Sequence, residues 1–363
     1  MKKVLHVYKT FTPYTYGGVE EFIDQLIKGT SLRGYQNWLL SFYPGERIYI
    51  EKRAGLKIYW VPARLNLLSM PISLKVRKVF QRLLGKVDLV HYHFPFPLQD
   101  VLNLLNKDKP YIVTYHSDVV KQKVSGVFYK PLSHYFIRNA SAVIATSRNY
   151  AESSTTLLKF RRKIRIIPIG IEDVTANVME DKWKKRLGRD FFLFVGALRY
   201  YKGLATLVEA ARINHLPTVI AGSGPELKAL KKQADGVKNI IFLDHVSHED
   251  KLALFNLCGC FVFPSNKRSE AFGISLVEAC RAGKPMISCE IGTGTSFVNM
   301  NGVTGITVPP DNPQVFSQAM QKIYSDESLR EGFGLAARKW YEVNFTSDVM
   351  IQSYIKIYDE LIP

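Results

Sequence analysis

One recurrence constrains the fold of this chain more than any other feature. A short apolar run is followed by a loop with glycine or proline, then a helical pattern, then the next apolar run. In the first half the runs are VLHVY (4–8), WLLSF (38–42), IYWVP (58–62), LVHYH (89–93), YIVTYH (111–116), AVIATS (142–147) and IRIIPI (164–169). In the second they are FFLFVG (191–196), TVIAG (218–222), IIFLD (240–244), CFVFP (260–264), PMISC (285–289) and GITVP (305–309). Continuous apolar runs suit parallel strands covered on both faces. Alternation with helices on both sides of a break predicts two doubly wound α/β domains. A chain of 363 residues is also too long for one ordinary core.

The polar stretch 171–190 shows no strand pattern and reads as a linker. The expected division is a first domain over 1–170, a second over 191–343, and a terminal helix over 344–363 packing back on the first. No apolar run is long enough to span a bilayer. The opening MKKVLHVYKT is basic and then apolar, but the run is short and no small-residue cleavage site follows, so it reads as a first strand.

Charge is unevenly placed. Residues 1–180 carry 27 Lys and Arg against 13 Asp and Glu, whereas 181–363 carry 22 against 19. A basic first half implies an anionic partner: nucleic acid, an anionic membrane surface or a phosphate-bearing substrate. Cys258, Cys260, Cys280 and Cys289 lie in apolar contexts without zinc-like spacing, so they read as buried thiols of a reducing, cytoplasmic compartment.

In doubly wound sheets, ligands sit outside the carboxyl ends of the strands, so the strand-to-helix loops are where chemistry is sought. After the first strand, Gly17 and Gly18 precede VEEFIDQLI; they read as a turn or as a backbone approach to an anion. His116 and Asp118 end the fifth run, where a histidine is either a satisfied core residue or a functional one. His91 and His93 share a strand face, and no third metal ligand is evident beside them. The second domain opens on Gly196, followed by Arg199 and Lys202, two cations that suit a diphosphate or form a solvated basic loop. Gly222 and Gly224 make a common α/β turn.

The segment SEAFGISLVEAC (269–280) carries two glutamates in an apolar setting. A helix starting near Gly273 offers free N–H groups at Phe272, Gly273 and Ile274, and the positive end of its dipole. Glu270 before it and Glu278 within it can accept hydroxyls on either side of a bound anion. That matches a sugar–diphosphate–ribose; capping or solvent exposure is the plain alternative for each.

Taken in order, the GGVE loop, the strand-end HSD, the G-x-L-R-x-x-K-G loop, the AGSGPE turn and E-x7-E resemble the retaining glycosyltransferases of family 4, with the GT-B fold. The resemblance covers essentially the whole chain. VLHVYKT, HFPFP, YHSDVVKQK, FLFVGALRYYKG, RSEAFGISLVE and SCEIGTGTS are similar to bacterial O-polysaccharide mannosyl- or D-rhamnosyltransferases. Those use GDP-sugars and act on a polyprenyl-diphosphate-linked acceptor.

The resemblance implies two Rossmann-like domains facing a cleft. It puts the donor ribose on Glu278 and the transferred sugar's hydroxyls on Glu270. It gives the diphosphate to Arg199, Lys202 and the amides of Phe272–Ile274, with Gly17, Gly18, Gly196 and Gly222 close to the donor. Val246, within 244–251, lies by the base. His116 lies by the sugar; Asp118 and His93 belong to the acceptor side. GALR stands where many relatives have GRL, but the Arg199-to-Lys202 spacing is kept. No D-x-D occurs, so no metal and no cofactor is expected, and the departing phosphate accepts the acceptor's proton in a same-face attack. The implied setting is the cytoplasmic face of the membrane in O-antigen synthesis, with a lipid-diphosphate-linked GlcNAc-type acceptor, peripheral contact through an anionic surface and no nucleic acid. The rivals are a sugar-nucleotide epimerase of the same fold and a basic nucleic-acid-binding protein.

Overall fold

The computed structural model describes residues 1–63, 65–67, 70–118, 125–174 and 180–362. The basic group KQK at 121–123 and the 175–179 part of the expected linker lie outside them. The chain divides into two compact units: Met1–Ile169 together with Ser347–Pro363, and Gly170–Thr346.

The first unit opens with β1 (Lys3–Val7), α1 (Gly18–Ser31), β2 (Gln36–Tyr43), β3 (Tyr49–Arg53) and β4 (Leu56–Pro62). A small hairpin of β5 (Leu65–Leu67) and β6 (Met70–Ile72) precedes α2 (Val76–Leu84) and β7 (Leu89–Phe94). Then come α3 (Pro97–Asn103), β8 (Tyr111–Tyr115), α4 (Ser125–Asn139), β9 (Ala142–Ala145), α5 (Arg148–Ser153) and β10 (Ile164–Ile166). The sheet order is β10-β9-β8-β7-β1-β2-β4-β3. Its pairings are parallel except β3 with β4. β3 reads YIEKR, an alternating half-polar strand rather than an apolar run, because it is an edge covered on one side only. β3 and the hairpin are absent from the sequence expectation for that reason, being polar or only three residues long.

The second unit starts with α6 (Glu180–Leu187), β11 (Phe192–Val195), α7 (Leu204–Asn214), β12 (Thr218–Ala221), α8 (Leu227–Gln233), β13 (Ile240–Leu243) and α9 (His248–Leu257). It continues with β14 (Cys260–Phe263), α10 (Ile274–Arg281), β15 (Met286–Cys289), α11 (Thr295–Val298), β16 (Gly305–Val308), α12 (Pro313–Ser325) and α13 (Glu327–Asn344). Its six parallel strands run β13-β12-β11-β14-β15-β16. The last helix, α14 (Ser347–Leu361), packs against α1 in the first unit.

The expected linker needs correcting. Within 171–190, residues 180–187 form α6, whose Trp183 is buried and donates through its indole N–H to Asp250 at 2.7 Å. Five charged residues on the outside of α6 hide the one aromatic that anchors it. The stretch belongs to the second unit, which begins at Gly170 and ends at Thr346.

Local chemistry fixes the helix ends. Ser247, Asn312 and Asp326 each accept a backbone N–H three residues on, at 3.0, 3.1 and 2.8 Å, as N-caps do. Glu20 and Glu21 in the first turn of α1 complement its dipole. All four cysteines are buried free thiols. Burial pushes Cys258 and Cys289 up to about 12, which leaves them inert packing groups.

Candidate functional site

In the second unit β11 has β12 on one side and β14 on the other, so the strand order reverses at β11 and β14. A doubly wound sheet opens its crevice there, at the carboxyl ends. The loops after these two strands carry the residues singled out from sequence.

After β11 the chain runs through Gly196 and the exposed Arg199 into one 3₁₀ turn, Tyr200–Lys202, closed by Gly203. Gly203 has φ of +63°, and a Cβ there would lie 2.1 Å from the Pro264 carbonyl oxygen. Only glycine lets this loop approach the end of β14 so closely. The turn sends the Lys202 side chain inward: it is 9% exposed, and its ammonium lies 4.7 Å from the Phe263 ring centre. It pairs with Glu270 of the loop after β14. Ser265 Oγ lies 3.5 Å from the same carboxylate oxygen. Arg199 makes no ion pair among the described residues.

Gly222, after β12, has φ of +140°, and a Cβ there would stand 2.0 Å from Gly196 O. The two glycines therefore pack backbone to backbone beneath the loop that bears Arg199.

Gly273 is the residue before α10 and holds φ of +89°, the left-handed region. Phe272 is buried and Ile274 half-buried, so the free amides of this first turn emerge from an apolar base. The loop after β15 braces the approach. Gly294 N–H donates to Ala271 O at 2.8 Å, and Arg268 Nη1 donates to Gly292 O at 2.6 Å. Glu278, on the next turn of α10, is buried and pairs with Lys251 of α9. Val246 is half-buried just before the Ser247 cap of that helix. The buried Glu278 and the half-buried Glu270 thus each have their own ammonium, which offsets the cost of taking a carboxylate out of water. Lys251 fell inside the segment assigned to the base, but nothing in the sequence linked it to Glu278. Their contact joins side chains of two helices 27 residues apart in the chain.

In the first unit Gly17 and Gly18 are exposed at the start of α1; Gly17 is simply extended. Glu20 below them is buried and accepts from Thr10 and Thr15 hydroxyls, both at 2.8 Å.

His116 follows β8, with its ring edge-on to Phe22 at 5.0 Å between centres. His93, expected on the acceptor side, is fully buried. Its ring nitrogens lie 3.2 Å from His6 Nδ1 and 3.2 Å from His116 Nε2, so it cannot touch a substrate itself. The cause is strand pairing: β1 and β7 run in register with His6 opposite His91, and alternation puts His93 on the same face. His6 was not singled out from sequence, because one histidine in LHVY shows nothing until β1 is known to adjoin β7. Asp118 is half-buried and braces its loop, accepting from Tyr115 at 2.9 Å and Ser154 at 2.7 Å.

His6, His91 and His93 offer nitrogens within 4.8 Å of one another. A metal needs lone pairs converging about 2.0–2.1 Å from one centre. His91 engages both nitrogens elsewhere, with Tyr358 OH and Thr114 Oγ1 at 2.7 Å each, and its ring stacks on His93 at 4.4 Å. This is a packed hydrogen-bonded cluster rather than a ligand set.

Comparison with known proteins bears on the family and the fold. Residues 16–174 match the family described as Glycosyltransferase Family 4, and residues 177–340 match Glycosyl transferases group 1. The chain is 41% identical over 368 residues to the O-antigen chain mannosyltransferase C of Escherichia coli, covering 99% of each. It is also 41% identical over 352 residues to the D-rhamnosyltransferase WbpZ of Pseudomonas aeruginosa, covering 95% of this chain and 92% of the relative. Among solved structures, sucrose-phosphate synthase from Thermosynechococcus elongatus superposes with a TM-score of 0.82 at 18% identity, covering 99% of each chain. Both sheets, their switch-point loops and full-length identity to two sugar transferases lead to one conclusion: the chain belongs to the group 1, family 4 glycosyltransferases of the GT-B fold.

Proposed function

We propose that this glycosyltransferase moves mannose from GDP-mannose, with retention, onto a lipid-diphosphate-linked saccharide during O-antigen synthesis. The observation that carries the reading is the pairing of Lys202 with Glu270 and of Lys251 with Glu278 on either side of the amino end of α10. The relatives' names supply the sugar class. Because a D-rhamnosyltransferase is as similar as a mannosyltransferase, GDP-D-rhamnose is the second reading.

On this proposal the second unit binds the donor. The diphosphate sits against the free amides at Phe272–Ile274, where the helix dipole favours an anion. Lys202 and Arg199 stabilise the negative charge that grows as the nucleoside diphosphate departs. Glu270 accepts from hydroxyls of the transferred sugar, and Glu278 from the ribose. Lys251 gives Glu278 a counter-charge in a buried setting. The first unit binds the acceptor and contributes His116 beside the sugar. The acceptor hydroxyl forms the new glycosidic bond on the face the leaving phosphate vacates, and the phosphate oxygen takes its proton.

A donor panel tests this: GDP-mannose, GDP-D-rhamnose, UDP-glucose and UDP-GlcNAc, each with a synthetic lipid-diphosphate-GlcNAc and with NMR of the product. Transfer with an α linkage from a GDP-sugar is expected. Transfer from UDP-sugars alone overturns the donor assignment. Release of a free epimerised sugar without acceptor supports the epimerase instead.

A further inference from the structure

The interior of the first sheet contains a directed hydrogen-bond chain that ends at His116. It starts at Asn37 on β2. The Asn37 amide nitrogen lies 3.2 Å from Ile27 O, a group that can only accept. It also lies 3.0 Å from Thr30 Oγ1 and 2.8 Å from Ser31 Oγ. Those hydroxyls donate their own hydrogens to Leu26 O at 2.7 Å and Gly55 O at 2.8 Å. The amide orientation is therefore fixed, and Oδ1 faces the other way as an acceptor.

Each following step has one solution. His6 Nε2 lies 3.2 Å from Asn37 Oδ1, so it carries the proton. A neutral imidazole has one donor and one acceptor, so His6 Nδ1 accepts. Its partner at 3.2 Å, His93 Nε2, must then donate. By the same rule His93 Nδ1 accepts, and His116 Nε2, 3.2 Å away, donates to it. His116 is left with an unprotonated Nδ1, which has no hydrogen-bond partner among the described residues. Neutrality is enforced by burial: His6 is held down to about 4 and His116 to about 3, and His93 well below its ordinary value, in each case chiefly by desolvation.

We propose that Asn37, His6 and His93 are positioning residues that fix His116 as the Nε2–H tautomer and present its Nδ1 lone pair as a hydrogen-bond acceptor. The catalytic consequence rests on the reading of His116 as lying beside the transferred sugar. In that setting His116 accepts from a sugar hydroxyl. It neither donates to the diphosphate nor carries a proton through the reaction. An acceptor held in advance loses little on reorganisation when the sugar ring distorts. Without the chain, an imidazole would split between two tautomers, and one of them would turn an N–H toward the hydroxyl.

The test reads the tautomer directly, without substrate. Full-length protein labelled with 15N-histidine is examined by long-range 1H–15N correlation at pH 7, with the His116 signals assigned by their loss in His116→Asn. A non-protonated Nδ1 and a protonated Nε2 are expected. An Nδ1–H tautomer or an imidazolium at His116 in the wild-type protein overturns the proposal. In His93→Phe the His116 pattern should become an average of both tautomers, and kcat should fall about tenfold, the equivalent of one hydrogen bond, with little change in donor KM. An unchanged His116 pattern in that variant overturns the relay. If His93→Phe does not fold, the wild-type spectrum still decides. Full turnover of His116→Ala would instead remove His116 from the sugar site while leaving the tautomer result standing.

Discussion

The Lys202 ammonium donates to Glu270 Oε2, joining the loop after β11 to the loop after β14 at the point where the strand order of the second sheet reverses. Both side chains are largely buried, so the two charges depend on each other. Lys202→Ala and Glu270→Ala should each cost roughly 10²–10³ in turnover, the scale seen when one group stabilising a developing anion is lost. Because the pair acts as a unit, the double variant should be little worse than either single. Steady-state kinetics at saturating donor decides the matter; near-wild-type turnover of either single variant removes both residues from the site.

Backbone contact beneath that loop yields a stability prediction. Gly222→Ala places a Cβ 2.0 Å from Gly196 O at a φ of +140°. It should destabilise the second unit by about 1–3 kcal/mol. Gly85, at the end of α2, has φ of −69° and nothing within 4 Å of a built Cβ. Gly85→Ala should be neutral or stabilise by about 0.4–1 kcal/mol through the unfolded chain. Urea midpoints of the two variants, compared with wild type, should move in opposite directions or differ clearly in size.

The buried histidines should make the protein acid-sensitive. His6, His91, His93 and His116 all have folded-state values below the ordinary 6.5, chiefly from burial, with His6 at about 4 and His116 at about 3. As pH falls below about 6.5 the unfolded chain gains protons that the folded cluster refuses, so stability drops. Each ring can contribute a slope of up to about 1.4 kcal/mol per pH unit between 6.5 and its folded value. Above pH 7 the contribution is flat. Melting temperatures from pH 8 down to 4.5 should show this break near 6.5, and a profile flat to pH 5 would contradict it.

How far the sequence could be read depended on whether a feature was local. The switch-point loops were legible because glycine, cation and glutamate positions are set within one strand–loop–helix stretch. The Glu270 and Glu278 spacing is a property of one helix end. What escaped depends on neighbours brought in by topology. Lys251 meets Glu278 across two separate helices, α9 and α10, which no local spacing connects. His6 meets His93 only because β1 lies next to β7, and the same pairing moved His93 from the expected acceptor side into the core. Strand β3 was missed because an edge strand need not be apolar, and α6 because its single buried anchor, Trp183, is surrounded by charge.

Chelation should have little effect on transfer. The sequence lacks D-x-D, and on the proposed reading the charge of a departing diphosphate would face Lys202, Arg199 and the first turn of α10 instead. Among the described residues the one grouping of three potential ligands is His6, His91 and His93, whose nitrogens are committed to one another and to Tyr358, Thr114 and Asn37. Activity after EDTA treatment and desalting should stay within about twofold of the untreated enzyme, the scatter expected of a group that supplies none of the roughly 10²–10³ of transition-state stabilisation discussed above. Full loss restored by Mg²⁺ or Mn²⁺ would show a metal to be part of the site.

The basic surface of the first unit should bind an anionic bilayer. Helix α2 buries Val76, Phe80, Leu83 and Leu84 and leaves Arg77, Lys78 and Arg82 exposed. Leu74, just before it, is 94% exposed, and Ile72 at the end of β6 is exposed as well. Arg161, Arg162 and Arg165 add further exposed cations. Apolar side chains beside cations suit the boundary between headgroups and acyl chains. Each cation near an anionic surface contributes on the order of 1 kcal/mol, so three of them matter and salt screens them. No helix among the described residues is long and apolar enough to cross a membrane. Flotation with phosphatidylserine-containing vesicles should be strong at low salt and weak at high salt. Arg77→Glu, Lys78→Glu and Arg82→Glu together should weaken flotation more than they weaken transfer to a short soluble acceptor. Leu74→Asp should weaken flotation at low salt too, because it removes the apolar part of the contact. Equal flotation with neutral vesicles, or no effect of the triple change, would rule out α2 as the docking face.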